Sequence, residues 1–250
     1  MSVRLRASLA AALMIFACAP ARAENLPAGF VTLRSVDPSI RQDMRYAGPD
    51  NFTGHPLPGY ERGECILQRA AALALKRVQA DLAPQKVTLK VYDCYRPARA
   101  VAAMARWAGN PRATPDASRY YPRVEKRNLF TLGYIAAHSA HSRGVAVDLT
   151  IVPLDAKPQA PFDENTHYAA CTGPVSAREP DDSVDMGTSF DCFDSKTWTK
   201  AGGLTGDQRT RRDMLVQAMT RHGFKNYPRE WWHFSYYAAD PRRAYDFPVR

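Results

Sequence analysis

The sequence has no hydrophobic run long enough to cross a bilayer. Its one long apolar stretch extends from Leu9 to Pro20, whereas a transmembrane helix needs about 20 apolar residues. The composition, with 45% hydrophobic residues, 24% charged residues and only 14 glycines in 250 residues, also excludes disordered, collagen-like and coiled-coil proteins. What remains is a globular protein with a sizeable core in one domain or two.

The N-terminus has the pattern of a secretory signal. Arg4 and Arg6 precede the apolar stretch, and Ala21-Arg22-Ala23 follows it. This order predicts a signal peptide over residues 1–23, cleaved after Ala23, and a mature domain over residues 24–250. We therefore expect an exported, periplasmic protein with no stable membrane insertion after cleavage.

A lipoprotein signal is the alternative explanation of the same stretch. In that case Cys18 would be the acylated residue. Phe16 occupies a position where such signals usually have a small residue, so we favour ordinary cleavage.

The sequence also lacks a basic cluster with interleaved aromatic residues, and the nearest approach to one is 119–127. Loss of Arg4, Arg6 and Arg22 with the signal lowers the net charge from +9 to +6. The remaining positive charge is more typical of a solvated face than of a nucleic-acid site, so we expect no nucleic-acid partner.

The mature chain keeps an even number of cysteines: Cys65, Cys94, Cys171 and Cys192. No C-x-x-C pair supports a zinc site built from all four, and an oxidising compartment favours two disulfides. Of three possible connectivities we favour Cys65 with Cys94 and Cys171 with Cys192, because each pair lies within one local segment.

Hydrophobic periodicity predicts a small set of regular elements. The helices are expected at about 67–82, 97–107 and 207–222, and the strands at 87–92, 145–152 and 231–237. Residues 24–64 are expected to form loops with short extended pieces, 109–128 a surface excursion, and 153–203 a long functional loop. Without a regular βαβ alternation, the pattern indicates one α+β domain, with a mainly antiparallel central sheet flanked by helices.

A first motif covers residues 139–148. His141 lies in the turn that enters a strand, and Asp148 lies on the strand face opposite the Val/Leu/Ile stripe. A buried carboxylate needs a strong partner, which could be a metal ion, an arginine or a turn of backbone amides. His138 is a possible decoy, and Gly144 allows a tight turn before the strand.

A second motif, residues 229–236, combines Glu230 and His233 with aromatic neighbours. A zinc hydrolase needs a neutral imidazole as ligand and a carboxylate to accept a proton from water. A spacing of three requires Glu230 to lie in a bent lead-in, which Pro228 favours. The alternative is a core histidine with a solvent-facing glutamate.

A third motif, residues 92–97, places Arg96 where an alternating strand stops. From there a guanidinium can point into a cleft and stabilise an oxyanion. A surface salt bridge is the more common role of such an arginine.

Taken together, the three motifs resemble those of the VanX-type D-alanyl-D-alanine dipeptidases, within the zinc D-Ala-D-Ala metallopeptidases. The resemblance covers most of the mature chain, because further segments also fit: Met44-Arg45-Tyr46-Ala47, Asn51-Phe52-Thr53-Gly54, Asp185-Met186-Gly187-Thr188-Ser189-Phe190-Asp191 and Phe247-Pro248-Val249. Any one motif is weak, but the ordered set is specific. Ala140 and Cys94 depart from it, since some members have serine and glycine there, and 109–128 is longer than a minimal member needs.

The resemblance implies a role for each matching residue, in a zinc site that lies in a cleft. By position, Zn²⁺ would be held by His141, Asp148 and His233, with Glu230 as catalytic base and Arg96 as the group that polarises the carbonyl.

At the substrate's amino end, Asp191 and Tyr46 match positions that hold a free ammonium, and Ser139 matches a serine near the substrate. The implied reaction is hydrolysis of the dipeptide D-Ala-D-Ala. A zinc carboxypeptidase or endopeptidase acting on longer peptidoglycan peptides is the alternative. A non-catalytic zinc-binding module ranks lower because Glu230 and Arg96 are both present.

Overall fold

The computed structural model of the chain describes residues 26–112, 117–239 and 242–250. The predicted signal peptide, including Cys18, lies outside these residues. Among the residues described, every helix is too short or too polar to span a membrane.

The described residues form seven strands and five α-helices. In chain order they are β1 (Phe30–Thr32), α1 (Leu33–Val36), β2 (Arg41–Gln42), β3 (Ile66–Gln68), α2 (Arg69–Leu82), β4 (Val87–Asp93), α3 (Ala98–Gly109), α4 (Ala117–Tyr120), β5 (Ala146–Pro153), α5 (Gly206–Arg221), β6 (Phe224–Asn226) and β7 (His233–Tyr236).

A five-stranded sheet forms the centre, in the order β2-β4-β5-β7-β6. Only β2 pairs in parallel, with β4, and the other neighbours are antiparallel. A separate antiparallel pair joins β1 and β3. The predicted α+β class with a mainly antiparallel sheet is therefore confirmed.

The main helices follow from their sequences. Helix α2 buries its apolar stripe against β4 and α5 and ends just before Pro84, as its periodicity predicts. Helix α5 starts with a capping box, in which the side chains of Thr205 and Gln208 each bind the other's backbone amide. It ends before Gly223, whose φ of +87° suits a residue without a Cβ.

Strand β4 differs from its predicted half-buried state, because both of its faces are buried. The face with Lys90 and Tyr92 is covered by the irregular segment 153–203, which contacts it through Asp181 and Asp182. Alternation of apolar and polar residues along a strand does not show whether the polar face contacts solvent or a polar segment of the same chain.

Two other features differ from what the sequence predicted: a strand that it did not predict, and buried residues in a segment expected at the surface. Strand β6 pairs with β7 but has no sequence pattern of its own that identified it. Within 109–128, expected to be a surface excursion, Arg119, Tyr120 and Tyr121 are buried, and Arg119 is paired with Asp50 and Glu179.

Segment 153–203 contains only short 3-10 turns and is fixed by charges rather than by regular pairing. Arg45 contacts Asp50 at 2.5 Å, Asp43 at 2.8 Å and Asp181 at 3.2 Å. Lys90 contacts Asp181 at 2.7 Å and Asp182 at 2.6 Å. We call Arg45, Lys90 and these four aspartates the Arg45–Lys90 network. It connects residues 26–65, which we call the N-terminal wrap, with β4 and segment 153–203.

Candidate active site

Three potential metal ligands converge at the centre of the sheet. Nε2 of His141 lies 3.2 Å from Nδ1 of His233 and 3.3 Å from Oδ2 of Asp148, and Nδ1 of His233 lies 2.9 Å from Oδ1 of Asp148. The ligand atoms of this His/Asp/His cluster all lie within 4.8 Å of one another.

The hydrogen bonds around the two imidazoles leave lone pairs facing the cluster. Nδ1 of His141 lies 2.6 Å from the carbonyl oxygen of Cys94 and must carry the proton there, so Nε2 is unprotonated in the neutral ring. His233 can direct Nε2–H toward Oγ of Ser235, 3.4 Å away, which leaves its Nδ1 unprotonated. Burial lowers the pKa of His233, which favours this neutral form.

These residues fit a zinc ion. A tetrahedral site with bonds of about 2.0 to 2.1 Å has its ligand atoms about 3.3 Å apart, close to the three separations within the cluster. Burial alone would raise the pKa of Asp148, but the imidazoles of His141 and His233, when they carry protons in place of a metal, outweigh it and lower that pKa. A bound cation would favour the same ionised carboxylate. Two imidazoles and a carboxylate form a common zinc donor set.

Strand register places the ligands next to one another. Asp148 of β5 is directly opposite His233 of β7, so both side chains project from the same face. On the other side of β5, the pairing with β4 shifts between Val91 and Asp93, which brings Asp93 opposite Asp148. This irregularity re-aims the end of β4 toward the site.

His141 reaches the site from a 3-10 turn, His141–Arg143, immediately before β5. Gly144 ends that turn at φ +71°, and a Cβ there would lie 2.3 Å from the ring of Phe30. Glycine is therefore required both by the backbone conformation and by the close ring.

Glu230 lies in the turns between β6 and β7, so it is in the bent lead-in that its spacing from His233 requires. Its amide donates to the carbonyl of Tyr227 at 3.0 Å, and its own carbonyl accepts from the amide of His233 at 3.3 Å. Burial, reinforced by the charges of Asp148 and Asp191, raises the pKa of Glu230 well above its usual value. A raised pKa makes the Glu230 carboxylate a stronger proton acceptor than an exposed glutamate.

Arg96 lines the same cavity, and its guanidinium is bound by the buried Asp93. Nε and Nη2 contact Oδ2 of Asp93 at 2.9 and 2.8 Å, and Nη2 lies 3.5 Å from Oδ2 of Asp148. Asp93 also accepts a 2.6 Å hydrogen bond from Tyr60. Asp93 was not identified from the sequence, although it lies in the same motif as Arg96. Its full burial, which would have indicated a role, is visible only in the structure.

The same cavity contains the pair of residues expected at the substrate's amino end. The hydroxyl of Tyr46 donates to Oδ2 of Asp191 at 2.7 Å, although 145 residues separate them. Burial raises the pKa of Asp191 to about 8, with the nearby Asp148 carboxylate contributing. A cation placed against Asp191 would stabilise its ionised form.

All eight predicted site residues line a cavity of about 380 Å³, near the lower end of the usual range of about 300 to 1,000 Å³ for ligand pockets. Oγ of Ser139 accepts a 3.2 Å hydrogen bond from the amide of His141. His138 also borders the cavity but is exposed and lies outside the His/Asp/His cluster.

Both disulfides have the favoured pairing, Cys65 with Cys94 and Cys171 with Cys192. Each bridge ends beside the cavity, because Cys94 accepts the hydrogen bond from His141 and Cys192 directly follows Asp191.

A converging His/Asp/His set, a half-buried carboxyl group and a guanidinium in one cavity define a metal-dependent hydrolase site. A family model described as D-ala-D-ala dipeptidase, peptidase family M15, matches residues 27–160 and 157–250. The chain belongs to this family and is a metallopeptidase.

Relatives named D-alanyl-D-alanine dipeptidase support the assignment. The protein from Enterococcus faecalis is 36% identical over 82% of this chain and 90% of its own length. Those from Enterococcus faecium and Streptomyces coelicolor are each 33% identical, over 89% and 84% of this chain and 98% and 93% of their own lengths.

Proposed function

We propose that the protein hydrolyses the dipeptide D-Ala-D-Ala to D-alanine with Zn²⁺ as its metal. The observation that carries the proposal is the joint position of the His/Asp/His cluster, Glu230, Arg96 and Asp191 around one small cavity. The activity named for the relatives, D-alanyl-D-alanine dipeptidase, supports the same substrate.

His141, Asp148 and His233 would hold the zinc, since each offers one ligand atom close to the other two. The metal would supply a coordinated water whose pKa is lowered toward about 7, and positive charge to polarise the scissile carbonyl.

Glu230 is the proton carrier in this mechanism. Its carboxylate accepts a proton from the attacking water and returns it to the leaving amine. The raised pKa of Glu230 supports both steps, because a carboxyl group with an ordinary pKa would hold the proton too weakly.

Arg96 stabilises the negative charge that develops on the carbonyl oxygen. Its guanidinium is oriented by Asp93, and the ring of Tyr46 lies 4.9 Å from its central carbon. A fixed cation of this kind needs little reorganisation as charge develops.

Asp191 and Tyr46 bind the substrate's free ammonium group. A desolvated ammonium requires a nearby carboxylate, and a buried carboxylate without its cation is costly in turn. Peptides with a blocked amino end therefore leave Asp191 without its partner. Ser139, beside His141, supplies a further polar contact to the substrate.

The protein acts in the periplasm after removal of residues 1–23. The N-terminal pattern supports this location, and two disulfides are compatible with export.

The test compares purified protein on free and N-acetylated D-Ala-D-Ala. We expect kcat/KM for the free dipeptide to exceed that for the acetylated form by at least about 100-fold, since the acetylated form brings no cation to bind the Asp191 carboxyl group. Asp191→Ala should keep zinc, lose most activity on the free dipeptide and narrow this ratio. Equal cleavage of the two substrates by the unaltered protein would instead support a carboxypeptidase acting on longer peptides.

A further inference from the structure

The two disulfides end at different halves of the active site, and neither belongs to the catalytic set. We call Cys65–Cys94 the metal-side disulfide and Cys171–Cys192 the substrate-side disulfide.

The metal-side disulfide fixes the backbone that orients His141. The carbonyl of Cys94 accepts the Nδ1 hydrogen bond of His141 at 2.6 Å. Two residues later, the amide of Arg96 donates to the carbonyl of His141 at 3.2 Å. Residues 94–96 therefore contact both the ring and the backbone of one metal ligand.

The other end of this bridge lies in a well-anchored part of the N-terminal wrap. The amide of Cys65 donates to Oε1 of Gln42 at 2.9 Å, and its carbonyl accepts from the amide of Leu33 at 2.8 Å. The bridge thus fixes Cys94 to an anchored point at the place where regular strand pairing of β4 ends.

The substrate-side disulfide fixes the backbone beside Asp191. Asp191 adopts φ +56°, a left-handed conformation that non-glycine residues rarely take unless the surroundings impose it. Cys192 follows directly, and the amide of Ser189 donates to the carbonyl of Cys171 at 2.9 Å. Cys171 is therefore bonded to Ser189 on one side of Asp191 and to Cys192 on the other. These two bonds fix the backbone of Asp191 within a segment that has no strand partner.

We infer that the two disulfides act as separate positioning elements: Cys65–Cys94 sets the geometry of His141 for metal binding, and Cys171–Cys192 sets that of Asp191 for the substrate ammonium. The inference rests on the proposed function for the roles of these two residues.

The experiment replaces each bridge in the full-length protein by a pair of alanines, so that each variant is the matched control of the other. Zinc dissociation constants are measured by chelator competition, and kcat/KM is measured for free and N-acetylated D-Ala-D-Ala. Cys65→Ala/Cys94→Ala should weaken zinc binding by about 10- to 100-fold, as loss of a partner behind a ligand does, and leave the substrate ratio unchanged. Cys171→Ala/Cys192→Ala should keep the zinc affinity and raise KM for the free dipeptide by about 10-fold. It should therefore bring kcat/KM for the free dipeptide closer to kcat/KM for the acetylated one.

A parallel loss of zinc affinity and substrate preference in both variants, or a fall in melting temperature alone, would overturn the inference. If either variant does not fold, limited reduction of the folded protein, with mass mapping of the opened bridge, makes the same comparison. The zinc measurement does not depend on turnover. If the unaltered protein binds zinc but does not cleave D-Ala-D-Ala, the proposed function is wrong, and the role of Cys65–Cys94 in zinc binding can still be tested.

Discussion

The site has two halves that are built on different kinds of backbone: a strand-borne half with His141, Asp148 and His233, and a loop-borne half with Tyr46 and Asp191. Asp148 and His233 lie on paired strands, and His141 lies in the turn that starts one of them. Tyr46 comes from a 3-10 turn in the N-terminal wrap, and Asp191 comes from a segment without strands. Strand pairing fixes the first group, whereas the second depends on ion pairs, a disulfide and ring contacts between distant segments.

Substitutions in the two halves should therefore have different measurable effects. Changes in the strand-borne half should affect metal content and chemistry while leaving stability nearly intact. Changes beneath the loop-borne half should affect stability first, because the Arg45–Lys90 network that fixes it is buried.

The largest effect is expected at the metal ligands. His141→Ala or His233→Ala should weaken zinc binding by more than the roughly 10- to 100-fold cost of losing an outer partner, and should abolish activity. Metal content after dialysis and turnover of D-Ala-D-Ala measure both. His138→Ala is the control, and loss of metal in that variant would reverse the ligand assignment.

Glu230→Gln should separate chemistry from metal binding. The amide cannot accept the proton, so kcat should fall by about 10²- to 10⁴-fold while zinc stays bound. Turnover kinetics with metal analysis of the same sample provides the test. Loss of zinc together with activity would show that Glu230 is structural or a ligand.

Arg45→Met tests the support of the loop-borne half. It removes a buried cation that binds Asp43, Asp50 and Asp181, which should lower the free energy of unfolding by about 3 to 5 kcal/mol, although Lys90 and Arg119 still contact Asp181 and Asp50. Urea unfolding is the measurement. The matched control, Arg34→Met, removes an exposed pair with Glu64 and should cost less than about 1 kcal/mol. Equal losses in the two variants would contradict the role of the network.

The smallest effect concerns the stability cost of Asp191 itself. Its pKa is about 8 in the folded protein and about 3.9 when unfolded, so folding takes up a proton between these values and wild-type stability falls as pH rises from 4 to 8. Asp191→Asn removes this cost and should raise stability at pH 8 by on the order of 2 kcal/mol. The gain should vanish toward pH 4. Unfolding of metal-free protein across this range checks the slope, and a pH-independent gain would mean a different cause.

The strand-borne half could be predicted from sequence because its information is local. Hydrophobic alternation locates β5, and short motifs carry His141, Asp148 and His233 within or just before strands. The same local reasoning identifies α2 and α5. A partner strand without its own pattern, such as β6, is determined by its neighbour β7 and was therefore missed.

The loop-borne half could be predicted only by resemblance, because its contacts join distant residues. Arg45 and Asp181 are 136 residues apart, and nothing in either segment specifies the other. The role of Asp93 depends on the shifted pairing at the end of β4, which no periodicity encodes. Such features arise when the segments pack together.

The pairing of Asp148 with His233 makes catalytic activity a measure of strand register. A slip of one residue between β5 and β7 would move one of these side chains to the opposite face and disperse the cluster. A metal ion held by both side chains would favour the correctly paired sheet over any slipped one, so the zinc concentration during refolding should bias the chain toward the right alignment. Recovery of activity after denaturation should therefore improve with zinc present during refolding, beyond what later addition of the metal restores.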